Sequence, residues 1–220
     1  MGPGFWHGVA DALVAQHVPV ECARLPAPEH VFPPYWLTHA ATVAAALPED
    51  GDVMLVAHSG AGVLLPAVAR LAANRRRNAR VRGTVFVDCD LPRDGASRLD
   101  LMSGEDADGF RRRAVDGWLP RWSDRQLMPF VADAKQRRAL LDDLPRVPLA
   151  MYEEAIAVPD EWPFAPCAYL ELSPHYAASV AHATAAGWPV LRLPGHHFLP
   201  YTDPGPVAAA LLTLTERCAA

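Results

Sequence analysis

Ser59 stands in the run Asp52-Val53-Met54-Leu55-Val56-Ala57-His58-Ser59-Gly60-Ala61-Gly62, where an apolar stretch passes abruptly into very small residues. The apolar part, 53–57, fits a strand and 62–71 fits a helix, so Ser59 falls at the turn between them. A serine at such a turn projects its hydroxyl above the edge of a parallel sheet. The flanking amides and the following helix N-terminus then face any negative charge that develops nearby. That chemistry is nucleophilic attack on an acyl carbon, and it requires an imidazole to take the hydroxyl proton. Without that partner the same segment is a glycine-rich turn with an incidental serine.

Two histidines compete for the imidazole role, His196 and His197, in the late segment Leu193-Pro194-Gly195-His196-His197-Phe198. Adjacent histidines alone do not make a coordination shell, so no metal site is expected from them. A third group must accept the other imidazole N–H, and the segment Phe86-Val87-Asp88-Cys89-Asp90 offers two carboxylates. Asp88 directly terminates an apolar run and is the first choice; Asp90 is the second. Both are equally the kind of residue that caps a turn. Glu171 is also available, but it lies inside an apolar run and is free to face either way. His58, beside the serine, is given no proton-transfer role.

The elements that must position these groups follow in order. Phe5, Trp6, Val9, Leu13 and Val14 give a helical pattern, residues 18–25 a short strand candidate, and 34–47 a second helix. The strand of 53–57, the serine turn and a helix to about residue 74 come next, then a strand over 81–88. Residues 91–147 change character, with short helical patterns at 99–101, 110–118 and 124–144 and no strand run of comparable quality. They read as a helical insertion whose aromatics, Phe110, Trp118, Trp122 and Phe130, either line an apolar pocket or fasten the insertion to the body. Strand and helix then alternate again: 167–172, 174–186, 190–193 and 204–214. Short apolar strands alternating with amphipathic helices require parallel pairing, and sites in such sheets form beyond the carboxyl ends of the strands. Ser59, Asp88, Asp90, Ser173 and His196–His197 all terminate or follow those strands.

A chain of 220 residues is most simply one domain, here with a core from 1–90 and 148–220 and an insertion at 91–147. A formal charge of -5 and 20% charged residues argue against a nucleic-acid or polybasic membrane-surface role. The basic run Arg75-Arg76-Arg77 is accounted for by a helix C-terminus facing water. Cys22, Cys89, Cys167 and Cys218 are widely spaced, form no CxxC pair, and suit buried thiols in a reducing compartment. There is no secretory pattern at the amino terminus and no stretch of roughly 18 apolar residues. The expectation is a soluble cytoplasmic protein with a small-molecule substrate, no cofactor and no nucleic-acid or membrane partner. The aromatics of the insertion are compatible with a C2 homodimer.

Taken together the chain resembles the alpha/beta-hydrolase superfamily over nearly its whole length, and within it compact bacterial alpha/beta-fold hydrolases. Met1-Gly2-Pro3-Gly4-Phe5-Trp6 resembles the end of the oxyanion loop and the first helix. Ala57-His58-Ser59-Gly60-Ala61 resembles the nucleophile elbow, and Leu193–Phe198 the loop with the catalytic histidine. The order Ser, Asp, His also matches. Ala57 and Ala61 stand where the family usually has Gly, and a methyl is the smallest increment there.

The resemblance implies a three-layer, doubly wound, mostly parallel sheet with a helical cap insertion. In the family a core strand precedes the oxyanion loop, whereas this chain begins at the loop. Either the sheet is short by its leading strands, or residues outside this chain supply them. The resemblance places His197 at the catalytic histidine, His196 where a Gly often lies, and the Gly60 N–H in the oxyanion hole with Phe5 or Gly4 as companion. In many relatives the acid follows the strand matched by 167–172, but Ser173 and Pro174 stand there; a minority arrangement puts it at Asp88. The activity implied is serine-dependent hydrolysis of an ester or thioester of a small, largely apolar substrate through an acyl-enzyme. The scaffold also hosts acyl transfer and cyclisation, and a catalytically silent binding protein is the alternative from a different class.

Overall fold

The computed structural model describes residues 2–74 and 79–219, so the basic run Arg75-Arg76-Arg77 lies outside the described residues. After a short 3-10 turn at Pro3–Trp6 come α1 (His7–Val14), α2 (Tyr35–Ala46) and β1 (Asp52–His58). A 3-10 turn at Ser59–Leu64 leads into α3 (Leu65–Ala73), followed by β2 (Arg80–Val87). The next region holds α4 (Gly104–Arg113), α5 (Asp124–Leu127), α6 (Ala134–Asp143) and α7 (Ala150–Glu153). The chain closes with β3 (Cys167–Glu171), α8 (Ala177–Ala185), β4 (Val190–Arg192), α9 (Leu199–Thr202) and α10 (Pro204–Ala219).

All pairings are parallel and the strand order is β1-β2-β3-β4. Side chains alternate across the pleat, so β2 and β3 must be apolar on both faces. Phe86, Cys167 and Tyr169 face α2, α3 and α8, in a core with Leu55, Ala57, Val68 and Val180. Val85, Val87, Ala168 and Leu170 face α1 and α10, packed with Val9, Leu13, Val207 and Leu211. The result is three layers, helices on either side of the sheet. A third apolar cluster, Phe5, Leu127, Val131, Leu140 and Phe198, ties α5 and α6 to the turn before α1 and to the loop after β4.

Three expectations are corrected, those for 18–25, 110–118 and 124–144. Residues 18–25 form no strand, because Pro19 has no N–H to give a ladder; Val18 and Val20 pack against the α1–α10 core instead. Of the two alternatives for the leading strands, the described residues follow the first: no strand precedes β1, which forms one edge of the sheet, with Val56 40% exposed. The helix expected over 110–118 ends at Arg113. Asp116 and Gly117, both at positive φ, then reverse the chain so that Val115 and Trp118 pair across a tight antiparallel turn. The pattern at 124–144 is two helices, separated around Pro129 and restarted by Asp133, whose carboxylate accepts the Gln136 N–H at 2.7 Å.

Candidate active site

Ser59 follows β1 with a left-handed φ of +57°, a conformation a non-glycine residue adopts only where its surroundings enforce it. Gly62, three residues on, shows the enforcement. A Cβ there would lie 2.6 Å from the Cys89 sulfur and 3.0 Å from the Asp90 carbonyl oxygen, so the turn is pressed against the end of β2. Arg98, reaching in from beyond β2, is 5% exposed and donates through Nε to the Gly60 carbonyl at 3.0 Å and through Nη1 to Met151 at 3.1 Å. Burial lowers its pKa, with Tyr152 and Glu154 opposing that effect. Gly60, second in the 3-10 turn, has no acceptor for its N–H within the turn, as for any helical start.

Asp88 leaves β2 at φ +43° and its side chain is wholly buried. One carboxylate oxygen accepts the Leu172 N–H at 3.0 Å and the Ser173 N–H at 2.9 Å. The other accepts the Ser173 hydroxyl at 2.7 Å and His197 Nδ1–H at 2.8 Å. A buried carboxylate persists only with such a full set of donors. Because Nδ1 carries the proton toward Asp88, Nε2 of a neutral His197 is the unprotonated nitrogen, free to act as a base. Asp88, His197 and Ser173 thus form a Ser-His-Asp-like polar cluster, with Ser173 on the Nδ1 side of the ring.

His197 lies in a column of rings. His58 packs on it with centroids 4.3 Å apart, Phe5 stacks on His58 at 4.9 Å, and Tyr201 stacks on Phe5 at 6.1 Å. Tyr176 also stacks on His197 at 5.6 Å, and its phenol is close enough to Ser59 for that hydroxyl to hold its pKa down against burial. His58 donates from Nε2 to the His197 carbonyl at 2.9 Å, which fixes its tautomer. Burial first, and the neighbouring His197 second, hold its pKa well below the ordinary value, so it stays neutral.

The remaining expected residues are placed as follows. His196 accepts the Phe198 N–H on Nδ1 at 3.2 Å, its ring packs on Phe130 at 5.4 Å, and burial lowers its pKa. Asp90 bonds neither histidine among the described residues. Burial pushes its carboxyl up to about 6, with His175 opposing. Glu171 is tied to Arg192. The Phe5 amide donates to the Gly2 carbonyl at 3.2 Å and its ring is fully buried, while Gly4 abuts Asp143. Trp122 and Phe130 pack on Phe198, beside His197. Phe110 instead meets Tyr152 and Arg113, and Trp118 lies under Arg146. Nothing in the local sequence pattern marks Tyr176 or Arg98 as part of this site. Among the described residues, no group of three or more His, Cys, Asp or Glu is placed to hold a metal ion, and no helix is long and apolar enough to cross a membrane.

No protein-family model matches the chain, and no curated protein matches it in sequence. Solved structures do. An extracellular alpha/beta-hydrolase from a Paenibacillus species, described as homologous to tobacco salicylic acid binding protein 2, is 18% identical with a TM-score of 0.77, over 97% of this chain and 94% of that one. A pyrethroid hydrolase from Sphingobium faniae is 17% identical with a TM-score of 0.74, over 98% and 93%. A variant of tomato methylketone synthase I in complex with beta-ketoheptanoate is 10% identical with a TM-score of 0.76, over 98% and 94%. The chain therefore has the alpha/beta-hydrolase fold, with helical insertions on a parallel sheet. The cytoplasmic expectation is corrected at the same point: the Paenibacillus structure, alike over almost its whole length, is that of an extracellular protein.

Proposed function

We propose that this protein is a serine hydrolase that cleaves an ester or thioester of a small, largely apolar acid through an acyl-enzyme on Ser59. The observation that carries the reading is the left-handed backbone at Ser59, on a strand end adjoining that of the buried Asp88 that holds His197. Ser173 is the weaker nucleophile candidate because its hydroxyl is donated to Asp88, on the Nδ1 side of the ring.

In this mechanism Ser59 Oγ attacks the substrate carbonyl carbon as its proton passes to His197 Nε2. Asp88 fixes the imidazole tautomer and stabilises the imidazolium. The Gly60 N–H hydrogen-bonds the oxyanion of the tetrahedral intermediate. When the bond to the leaving group breaks, His197 returns the proton to the departing oxygen or sulfur. Water then attacks the acyl carbon as His197 takes its proton, and the free acid leaves with Ser59 restored. His58 stays neutral beneath the ring, so it adds no repulsive charge when His197 becomes cationic. Residues 91–147 act as a cap on the core formed by 1–90 and 148–220, and Trp122, Phe130 and Phe198 supply the apolar wall for the substrate.

The test is release of p-nitrophenol from short acyl esters, which Ser59→Ala should abolish; turnover unchanged in that variant would overturn the reading. The likeness in fold to methylketone synthase favours one second reading, non-hydrolytic chemistry at a carbonyl group. Reaction in oxygen-18 water separates the two, since only hydrolysis places the label in the product acid.

A further inference from the structure

Tyr176 lies against His197 and is close enough to Ser59 to feel its hydroxyl. It reaches them because Asp88 anchors the exit of β3. With Leu172 N–H, Ser173 N–H and the Ser173 hydroxyl all held on that carboxylate, the 3-10 turn Pro174–Tyr176 has little freedom. The Tyr176 ring then lies over His197 with an interplanar angle of 30°, with its hydroxyl within the influence of the Ser59 side chain. Burial is the largest influence on this phenol and pushes its pKa up, while the Ser59 contact opposes that and Asp90 and Asp88 add to it. It is therefore a neutral hydrogen-bond donor and no candidate for a base.

An oxyanion is stabilised best by two converging donors, each aimed where the charge develops. Gly60 offers one. Of the two amides expected as companion, those of Phe5 and Gly4, the Phe5 amide is occupied by the Gly2 carbonyl. We propose that the Tyr176 hydroxyl is the second oxyanion donor, taking the place of a backbone amide from the amino-terminal turn. The inference rests on the acyl-enzyme reading of Ser59. During attack the Tyr176 hydroxyl donates to the adjacent carbonyl oxygen, which gains charge as the new C–O bond forms. No proton is transferred and the phenol ends as it began.

Tyr176→Phe keeps the ring over His197 and removes only the hydroxyl. Turnover of a p-nitrophenyl ester should fall about 10²-fold with KM changed less than about twofold, the size expected for one oxyanion donor. Affinity for a trifluoromethyl ketone that forms a hemiketal on Ser59 should fall by the same factor, with the shape of the pH–rate profile unchanged. Turnover within about threefold of the parent would overturn the proposal. If the Phe variant unfolds, 3-fluorotyrosine placed at position 176 keeps ring and hydroxyl and makes the phenol a stronger donor. Turnover should then rise at constant KM, and an unchanged rate would overturn the proposal. If Ser59→Ala retains full activity, the acyl-enzyme reading itself fails. If Ser59→Ala is inactive and Tyr176→Phe is fully active, only the role of Tyr176 fails.

Discussion

Ser59 and Asp88 are neighbours across the end of the sheet: each directly follows one member of the registered pair His58 and Val87, and each turns at positive φ. A left-handed non-glycine residue costs roughly 1–3 kcal/mol, and here two such residues leave adjacent parallel strands, about 4.8 Å apart, at the same level. At Asp88 the four hydrogen bonds on its carboxylate offset that strain; at Ser59 the contact of Gly62 with Cys89 and the Arg98 bond to Gly60 hold the turn. The strain presents a hydroxyl and a carboxylate on the same edge, with His197 bound to the second.

Replacement of Asp88 should affect catalysis and stability separately. In Asp88→Asn the side-chain amide replaces one acceptor oxygen with a donor, so the His197 tautomer is no longer fixed, and turnover should fall about 10³–10⁴-fold. Asp88→Ala also leaves the Leu172 and Ser173 amides without their acceptor. Urea unfolding should show a further loss of roughly 2–4 kcal/mol. An Asn variant with the parent's turnover would contradict this role.

Asp90 gives a pH signature of its own. Its carboxyl titrates at about 6 in the folded chain, against an ordinary value near 3.9 in the unfolded one. Between these values the folded chain keeps a proton that the unfolded chain has released. The stability contributed is therefore full below about 4 and is lost as pH rises through about 6. Asp90→Asn cannot ionise, so its advantage over the parent in urea midpoint should grow across that window and then level off. A difference independent of pH would contradict the assignment.

Gly62→Ala tests how tightly the serine turn is pressed against β2. The added methyl carbon meets the Cys89 sulfur at 2.6 Å and the Asp90 carbonyl oxygen at 3.0 Å. Overpacking of this kind costs about 1–3 kcal/mol. Adding Cys89→Ala removes the sulfur and should recover part of the loss in thermal midpoint. An equal cost in both backgrounds would mean that Cys89 is not what confines the turn.

The parallel sheet was legible because the β2 run ends Val85-Phe86-Val87, apolar on both faces, and has no helical reading of that length. Residues 18–25 misled because their apolar alternation outweighed Pro19, which the ladder could not use. The region 110–118 misled similarly, since Asp116-Gly117 is a turn signal set inside a helical pattern. The places of Ser59 and Asp88 directly after strands, and of His197 on the loop after β4, followed from where apolar runs stop. The placement of Tyr176 against His197 did not. It depends on a ring stacking across to a separate loop and on a turn pinned by Asp88, and no local spacing encodes either. Phe110, Trp118, Trp122 and Phe130 were indistinguishable as aromatics, and their tertiary contacts divide them.

The most direct measurement is peptide mass spectrometry of the protein after reaction with a fluorophosphonate, which modifies only a serine activated for acyl chemistry. The account predicts one adduct, on Ser59, absent in Ser59→Ala and strongly slowed in His197→Ala. Modification of Ser173 instead, or no adduct on a folded chain, would contradict it.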